Sequence, residues 1–222
     1  MLKAFFLDFY GTVVYEDGEV IKRITQAIYE SGTAGSAAEI GRFWWEEFQG
    51  MCAGAFGEAF ETQRELERRS LEKTIERFGA GLDAGRLSGQ MFEYWVRPDI
   101  FEDSREFLER SPLPVYIVSN IDRADVLEAA AYHGLAPAGV FTSEDARAYK
   151  PRTEPFELAL AVTGLKADEV IHIGDSLSGD VKGAARAGIQ ALWLNRSGRE
   201  VPEGVRSVGS LLDVLEEVRS TV

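Results

Sequence analysis

Residues 2–8, Leu-Lys-Ala-Phe-Phe-Leu-Asp, run almost wholly apolar and stop on a carboxylate, which is followed by Phe9, Tyr10, Gly11 and Thr12. Few environments accept such a run. A strand in a parallel sheet covered on both faces does, because it calls for continuous rather than alternating hydrophobicity. Such sheets place their ligands at the carboxyl ends of the strands. Asp8 stands at that end and is a candidate nucleophile or metal ligand. By itself the segment equally fits an acidic residue before a turn.

The pattern recurs along the chain. Residues 115–118 are apolar and end on Ser119 and Asn120, a hydroxyl and an amide suited to an anionic oxygen or to an ordinary turn. Lys150 precedes Pro151, which disfavours helical backbone before it. Such a lysine suits a nearby carboxylate and a bound anion, or a solvated surface. Residues 170–174 run into Asp175, and Asp180 follows five positions later, before the small-residue stretch 183–188. Asp180 has an alternative use as a helix N-cap. Asp175 has no such use.

Between the first of these strands and the rest lies a long segment of helical periodicity. Val20, Ile21, Ile24, Ala27 and Ile28 fall at helical spacing, as do Ile40, Phe43, Trp44, Phe48 and Met51. Phe60, Leu71, Ile75 and Phe78 mark one or two further helices, and Leu87, Met91, Phe92 and Trp95 another. From Arg97 the chain alternates. Strands are expected near 114–118, 139–142, 169–173 and 190–194, and helices near 103–110, 123–133, 153–163, 179–187 and 209–219. Alternation of this kind predicts an α/β fold with a doubly wound, Rossmann-like parallel sheet. The expected organisation is a core of residues 1–14 and 97–222 with an all-helical insertion, 15–96. The aromatic cluster Phe43, Trp44, Trp45 and Phe48 reads chiefly as packing, with one or two members free to line a pocket.

Composition narrows the partners. A net charge of −13 argues against nucleic acid and anionic membranes, and requires any site for an anion to be locally positive or metal-filled. No stretch reaches the length of a membrane span, and residues 1–12 read as a strand and turn rather than a signal peptide. The single cysteine, Cys52, excludes an internal disulfide and fits a reducing, cytoplasmic setting. His133 and His172 show no metal-ligand spacing and read as structural. Oligomeric state, monomer or homodimer, is not legible.

Taken together, Asp8-Phe9-Tyr10-Gly11-Thr12, Ser119-Asn120, Lys150-Pro151 and Gly174-Asp175 through Asp180, in that order, resemble the four motifs of the haloacid dehalogenase superfamily. The resemblance implies a helical cap inserted after the first strand, closing over the site and selecting substrate. It implies a covalent intermediate on Asp8. It further implies Mg²⁺ held by Asp8, the backbone carbonyl of Tyr10 and Asp175, an oxygen set that suits this ion. Ser119 and Lys150 would grip the transferring group, and Asp180 would orient a metal-bound water or bind Lys150. Tyr10, Gly11, Thr12, Ser119, Asn120 and Lys150 would line the site of a small anionic substrate.

One departure matters. Most phosphatases of this superfamily carry a second aspartate two residues after the nucleophile, as acid and base; here it is Tyr10. A phenol of pKa ~10 is a poor general base at neutral pH. Tyrosine there resembles the 2-haloacid dehalogenases, whose halide leaving group needs no proton. Residues 146–151 resemble that group too, and Arg42 would match its halide-receiving cap arginine. Against this, those enzymes work without metal, typically with serine in the position of Asp175, and with a tyrosine where Phe156 stands. Two adjacent carboxylates repel, which a divalent cation resolves. The favoured reading is therefore a Mg²⁺-dependent phosphohydrolase for a small phosphorylated metabolite, with Glu16, Asp17 or Glu46 as a replacement acid or an ester with a good leaving group. A metal-independent 2-haloacid dehalogenase and a weakly catalytic or non-catalytic binding module remain the alternatives.

Overall fold

The computed structural model describes residues 1–219. Its centre is a parallel sheet of β1 (Ala4–Leu7), β2 (Val115–Ser119), β3 (Gly139–Thr142), β4 (Val170–Gly174), β5 (Gln190–Leu194) and β6 (Ser207–Val208), in the order β3-β2-β1-β4-β5-β6. All four residues of β1 are fully buried, as a central strand covered on both faces requires. β1 pairs with β2 on one side and β4 on the other. The strand order reverses there, and the crevice at the carboxyl ends of β1 and β4 is the ligand position of such sheets. In register, Leu7 lies between Ile117 and Ile173. Asp8, one residue further, donates its N–H to the Ile173 carbonyl at 2.9 Å, and Asp175 follows Gly174 at the neighbouring strand end.

Between β1 and β2 the chain builds α1 (Gly18–Ser31), α2 (Ala37–Gly54), α3 (Gln63–Arg77) and α4 (Ala84–Val96), with a 3₁₀ turn at Gly57–Ala59. Local chemistry sets their starts. Ser36 accepts from the Glu39 N–H ahead of α2, and Asp83 accepts from Arg86 ahead of α4. Thr62 and Glu65 form a reciprocal capping box at α3. The remaining helices flank the sheet: α5 (Glu102–Arg110), α6 (Arg123–Tyr132), α7 (Ser143–Ala146), α8 (Glu154–Thr163), α9 (Gly183–Arg186) and α10 (Leu211–Arg219). One apolar core runs from Phe5 and Leu7 through Val14 into Ile24, Ile40 and Met91, so sheet and helical insertion share it; a second packs Phe6 and Val118 on Phe156 and Ala184.

The strands expected near 114–118, 139–142, 169–173 and 190–194 hold to within a residue at each end, and the first, expected over residues 2–8, is confined to Ala4–Leu7. The helix expected over 179–187 is instead a π-helical turn, Leu177–Lys182, running into the short α9. Its extra residue per turn lets Asp180 fold back beneath the strand end, where it accepts the Ser176 N–H at 3.0 Å. β6 and α7 have no counterpart in the sequence reading. Among the described residues no helix is long and apolar enough to cross a membrane.

Candidate active site

Four strand-end segments bring Asp8, Ser119, Lys150, Asp175 and Asp180 together. Carboxylate oxygens of Asp8, Asp175 and Asp180 lie within 4.8 Å of one another. Lys150 reaches between them, donating from Nζ to Asp8 Oδ1 at 2.6 Å, to Asp180 Oδ1 at 2.6 Å and to the Val118 carbonyl at 2.9 Å. All three ammonium protons are thereby placed. Asp180 is saturated too, since Oδ1 also faces His172 Nε2 at 2.9 Å while Oδ2 takes the Ser176 N–H. The carboxylate of Asp175 faces the other two, and its backbone carbonyl accepts from Trp193 and Arg199.

The electrostatics divide these acids. Asp180 is buried, which alone raises a carboxyl, but the Lys150 charge and the hydrogen bonds from His172 and Lys150 hold it well below the usual range. Burial raises Asp8 by more than Lys150 lowers it. Asp175 is pushed up to about 8, by burial and then by the charges of Asp8, Asp180 and Glu16. Lys150 is held above its ordinary value: burial opposes its charge, and Asp180 and Asp8 outweigh that opposition. Three carboxylates facing one ammonium are thus short of positive charge.

Two glycines permit this crowding. Gly11 has φ +85°, and a Cβ there would meet the Asp175 carboxyl carbon at 2.7 Å; at Gly174 a Cβ would lie 2.2 Å from that of Asp180. Any side chain at either position displaces a carboxylate.

The sheet end opens into a cavity of about 430 Å³ roofed by the insertion. α2 lends it Trp44, Trp45 and Phe48, α3 lends Glu67, and α4 lends Met91 and Trp95. Tyr10 lines it as well, but its hydroxyl donates to the Trp95 carbonyl, and Trp95 Nε1 donates to Asp17 at 2.7 Å. Burial, with the charges of Asp125 and Asp17, raises the phenol far above its normal range. Tyr10 therefore ties β1 to α4 and has no proton to trade near neutral pH. Glu16 stands at the mouth, open to solvent on one side, with its pKa raised by the surrounding protein and by Asp8 and Asp17.

Other expected residues fall differently. Arg42, expected to reach the site from α2, is exposed and lies outside the cavity lining, although Gly41 beside it lines the wall. Glu46 is likewise exposed and off the cavity. Thr12 is fully buried, with its hydroxyl unpartnered among the described residues, and is not part of the lining. Asn120 lines the cavity, but its amide mainly shapes the lysine loop, accepting from the Lys150 N–H at 2.7 Å and donating to the Lys150 carbonyl at 3.3 Å. Ser119, 1% exposed, accepts from the Ile121 N–H and lines the cavity beside Asp8. The sequence reading missed His172 as the group steadying Asp180, and missed Glu67 altogether. Position His172, two residues before Gly174 on the same strand, was the available signal for the first.

A family model described as haloacid dehalogenase-like hydrolase matches residues 2–188. The chain belongs to that family. Among its relatives, this haloacid dehalogenase-like hydrolase is 29% identical over 158 residues to the phosphoserine phosphatase of Thermus thermophilus, covering 67% of this chain and 63% of the phosphatase. It is 25% identical over 142 residues to the pyrimidine 5'-nucleotidase PynA of Streptococcus pneumoniae, covering 60% of each. The chain thus matches less than two thirds of the length of these relatives. In fold it resembles the L-2-haloacid dehalogenase of Xanthobacter autotrophicus, with a TM-score of 0.77, 22% identity and 100% of each chain covered. It also resembles the Bacillus subtilis hydrolase YfnB, solved bound to magnesium, with a TM-score of 0.75, 19% identity, and 98% of this chain and 99% of that one covered.

Proposed function

We propose that this hydrolase is a Mg²⁺-dependent phosphohydrolase that acts on small phosphorylated metabolites through an aspartyl phosphate on Asp8. The observation that carries the reading is the placement of Asp175 against Asp8 and Asp180, with Lys150 as the balancing cation. Three carboxylates against one ammonium leave two negative charges, which one divalent ion cancels. The donors are hard oxygens, as Mg²⁺ prefers. Asp8, Asp175 and the Tyr10 carbonyl would hold the ion, which when bound supplies charge to offset that of the transferring phosphoryl group.

The chain's own groups account for the remaining steps. Lys150 fixes Asp8 through Oδ1, so the other oxygen attacks phosphorus as the bond to the leaving alkoxide breaks. The Ser119 hydroxyl donates to a phosphoryl oxygen, and Lys150, its protons already given to Asp8, Asp180 and Val118, offsets the phosphoryl charge. Water then attacks phosphorus, passing a proton to Glu16, which the first step leaves as a carboxylate; the bond to Asp8 breaks and inorganic phosphate leaves. Tyr10 is withdrawn from proton transfer by its bond to Trp95, and Asp17 is engaged by the Trp95 ring. Glu16, raised and facing the carboxylates, is the acid assigned to the leaving alkoxide.

Tyr10 in the acid position is what favours the second reading, halide displacement at carbon by Asp8. That substrate brings a carboxylate, yet Lys150 is the one cation among the described cavity-lining residues and Arg42 lies elsewhere. The test is turnover of para-nitrophenyl phosphate and L-2-chloropropionate in parallel, each with Mg²⁺ and with EDTA. Phosphate release that EDTA abolishes is expected. Chloride release that survives EDTA would overturn the proposal, and silence in both would favour a binding module.

A further inference from the structure

We propose that the cap end of the cavity is an ammonium subsite, so that the preferred substrates are phosphomonoesters of amino alcohols. The inference deepens the phosphohydrolase reading and, as a statement about substrates, rests on it.

The central observation is Glu67. It lies on α3, lines the cavity and is 6% exposed. No ion pair among the described residues reaches it; its polar neighbour is the Trp44 ring N–H, which it shares with Ser70 Oγ, 3.0 Å from that nitrogen. A carboxylate so far from water is costly unless a cation meets it. Burial, and then Asp17, push its carboxyl up to about 8 against the opposing hydrogen bond of Trp44.

The walls supply the second, independent observation. Trp44, Trp45, Phe48 and Trp95, from α2 and α4, line the cavity with Glu67; Trp44 is its hydrogen-bond neighbour, and Trp95 holds Asp17 at 2.7 Å. Aromatic faces attract cations, and most strongly when the group is desolvated. The insertion contributes no lysine or arginine to the described lining, only the amides of Gln49 and Gln63 beside its carboxylates and aromatic rings, so a second anionic group on the substrate would meet no cation there. An ammonium would meet Glu67, Asp17 and the indoles at once.

The two ends are also separated. Glu67 is carried by α3 in the roof, whereas Asp8, Lys150 and Asp180 are bonded together at the sheet end. The cationic group therefore belongs to the leaving alcohol, away from the phosphorus.

Two measurements on the full chain test this. In the first, kcat/KM with Mg²⁺ is compared for phosphoethanolamine, n-propyl phosphate and phosphoglycolate. Phosphoethanolamine should lead n-propyl phosphate by about tenfold, with phosphoglycolate last, and Glu67→Gln should collapse that lead towards unity. Equal rates in the parent protein, or a lead that Glu67→Gln leaves intact, would overturn the proposal. In the second, tetramethylammonium chloride is titrated against tryptophan fluorescence, with NaCl at matched ionic strength as the control. A saturable change lost in Glu67→Gln supports the subsite; no saturable change overturns it. If no ester releases phosphate while ammonium still binds saturably, the phosphohydrolase reading falls and the subsite stands.

Discussion

At Tyr10 a phenol occupies the place where the family's phosphatases usually keep an acid, and its hydroxyl is bound to the Trp95 carbonyl. Tyr10→Phe is therefore expected to cost about 1 kcal/mol of stability while leaving the shape of the pH–rate profile unchanged. Glu16→Gln should slow alkyl phosphates by about 10²–10⁴-fold and para-nitrophenyl phosphate much less, because its leaving group needs no proton; initial rates on the two esters decide it. Asp175 gives a prediction with a definite sign. Its folded pKa, about 8, exceeds its ordinary 3.8. Its contribution is thus fully present below about pH 4 and is lost as pH rises through about 8. In EDTA the melting temperature should fall across that window, by the equivalent of about 2 kcal/mol after allowance for solvent. Asp175→Asn should flatten the fall and abolish Mg²⁺-dependent turnover. The motif carboxylates were legible because each ends an apolar run. The use of Tyr10 was not, because its partner is 85 positions away. Nor was Glu67, since α3 carries charge on nearly every face and only packing against Trp44 buries one of them.

The elements between the site and its roof meet at a specific junction. Asp122, just before α6, accepts the N–H groups of Gln63 and Arg64 at 2.8 and 3.0 Å, so a core carboxylate sits on the N-terminus of α3. Arg64 then pairs with the buried Asp125 on α6 through Nε at 2.8 Å and a second contact. Nearby, Tyr149 donates to the Glu61 carbonyl at 2.8 Å and stacks on Phe60. Asp122→Ala should cost about 1 kcal/mol in denaturant titrations and raise KM by severalfold, because the roof is held less firmly, with kcat changing less than KM. The five longer strands and most helices were readable at this scale, because the sheet asks for continuous apolar runs and the insertion for helical periodicity, whereas the short β6 and α7 carry too few residues to show either pattern. The π turn was not, because Asp180 is drawn back by Lys150 and His172, contacts that periodicity does not encode. Arg42 was misplaced by rotation alone: residues 41, 44, 45 and 48 of α2 face the cavity, and position 42 turns away.

Across the whole molecule the net charge is −13, and the cavity shares in it, with six carboxylate residues and one lysine in its described lining. A ligand that binds only the folded state stabilises it by mass action, about 2.7 kcal/mol at a hundredfold excess over its Kd. Millimolar MgCl₂ should therefore raise the melting temperature beyond NaCl of equal ionic strength, and Asp175→Asn should remove the difference; calorimetry reads both. The order of the strands has a further consequence, in time rather than space. β1 is made first yet lies between β2 and β4, and the ammonium of Lys150 joins Asp8 to Asp180 across 142 and 30 positions of chain. Contacts so distant in sequence form late and slowly. In a growing chain Asp8 precedes Lys150, Asp175 and Asp180, so the four groups can meet only after the roof has been synthesised. A growing chain consequently holds its roof segment before the charged cluster can close, so the cluster never assembles ahead of its cover.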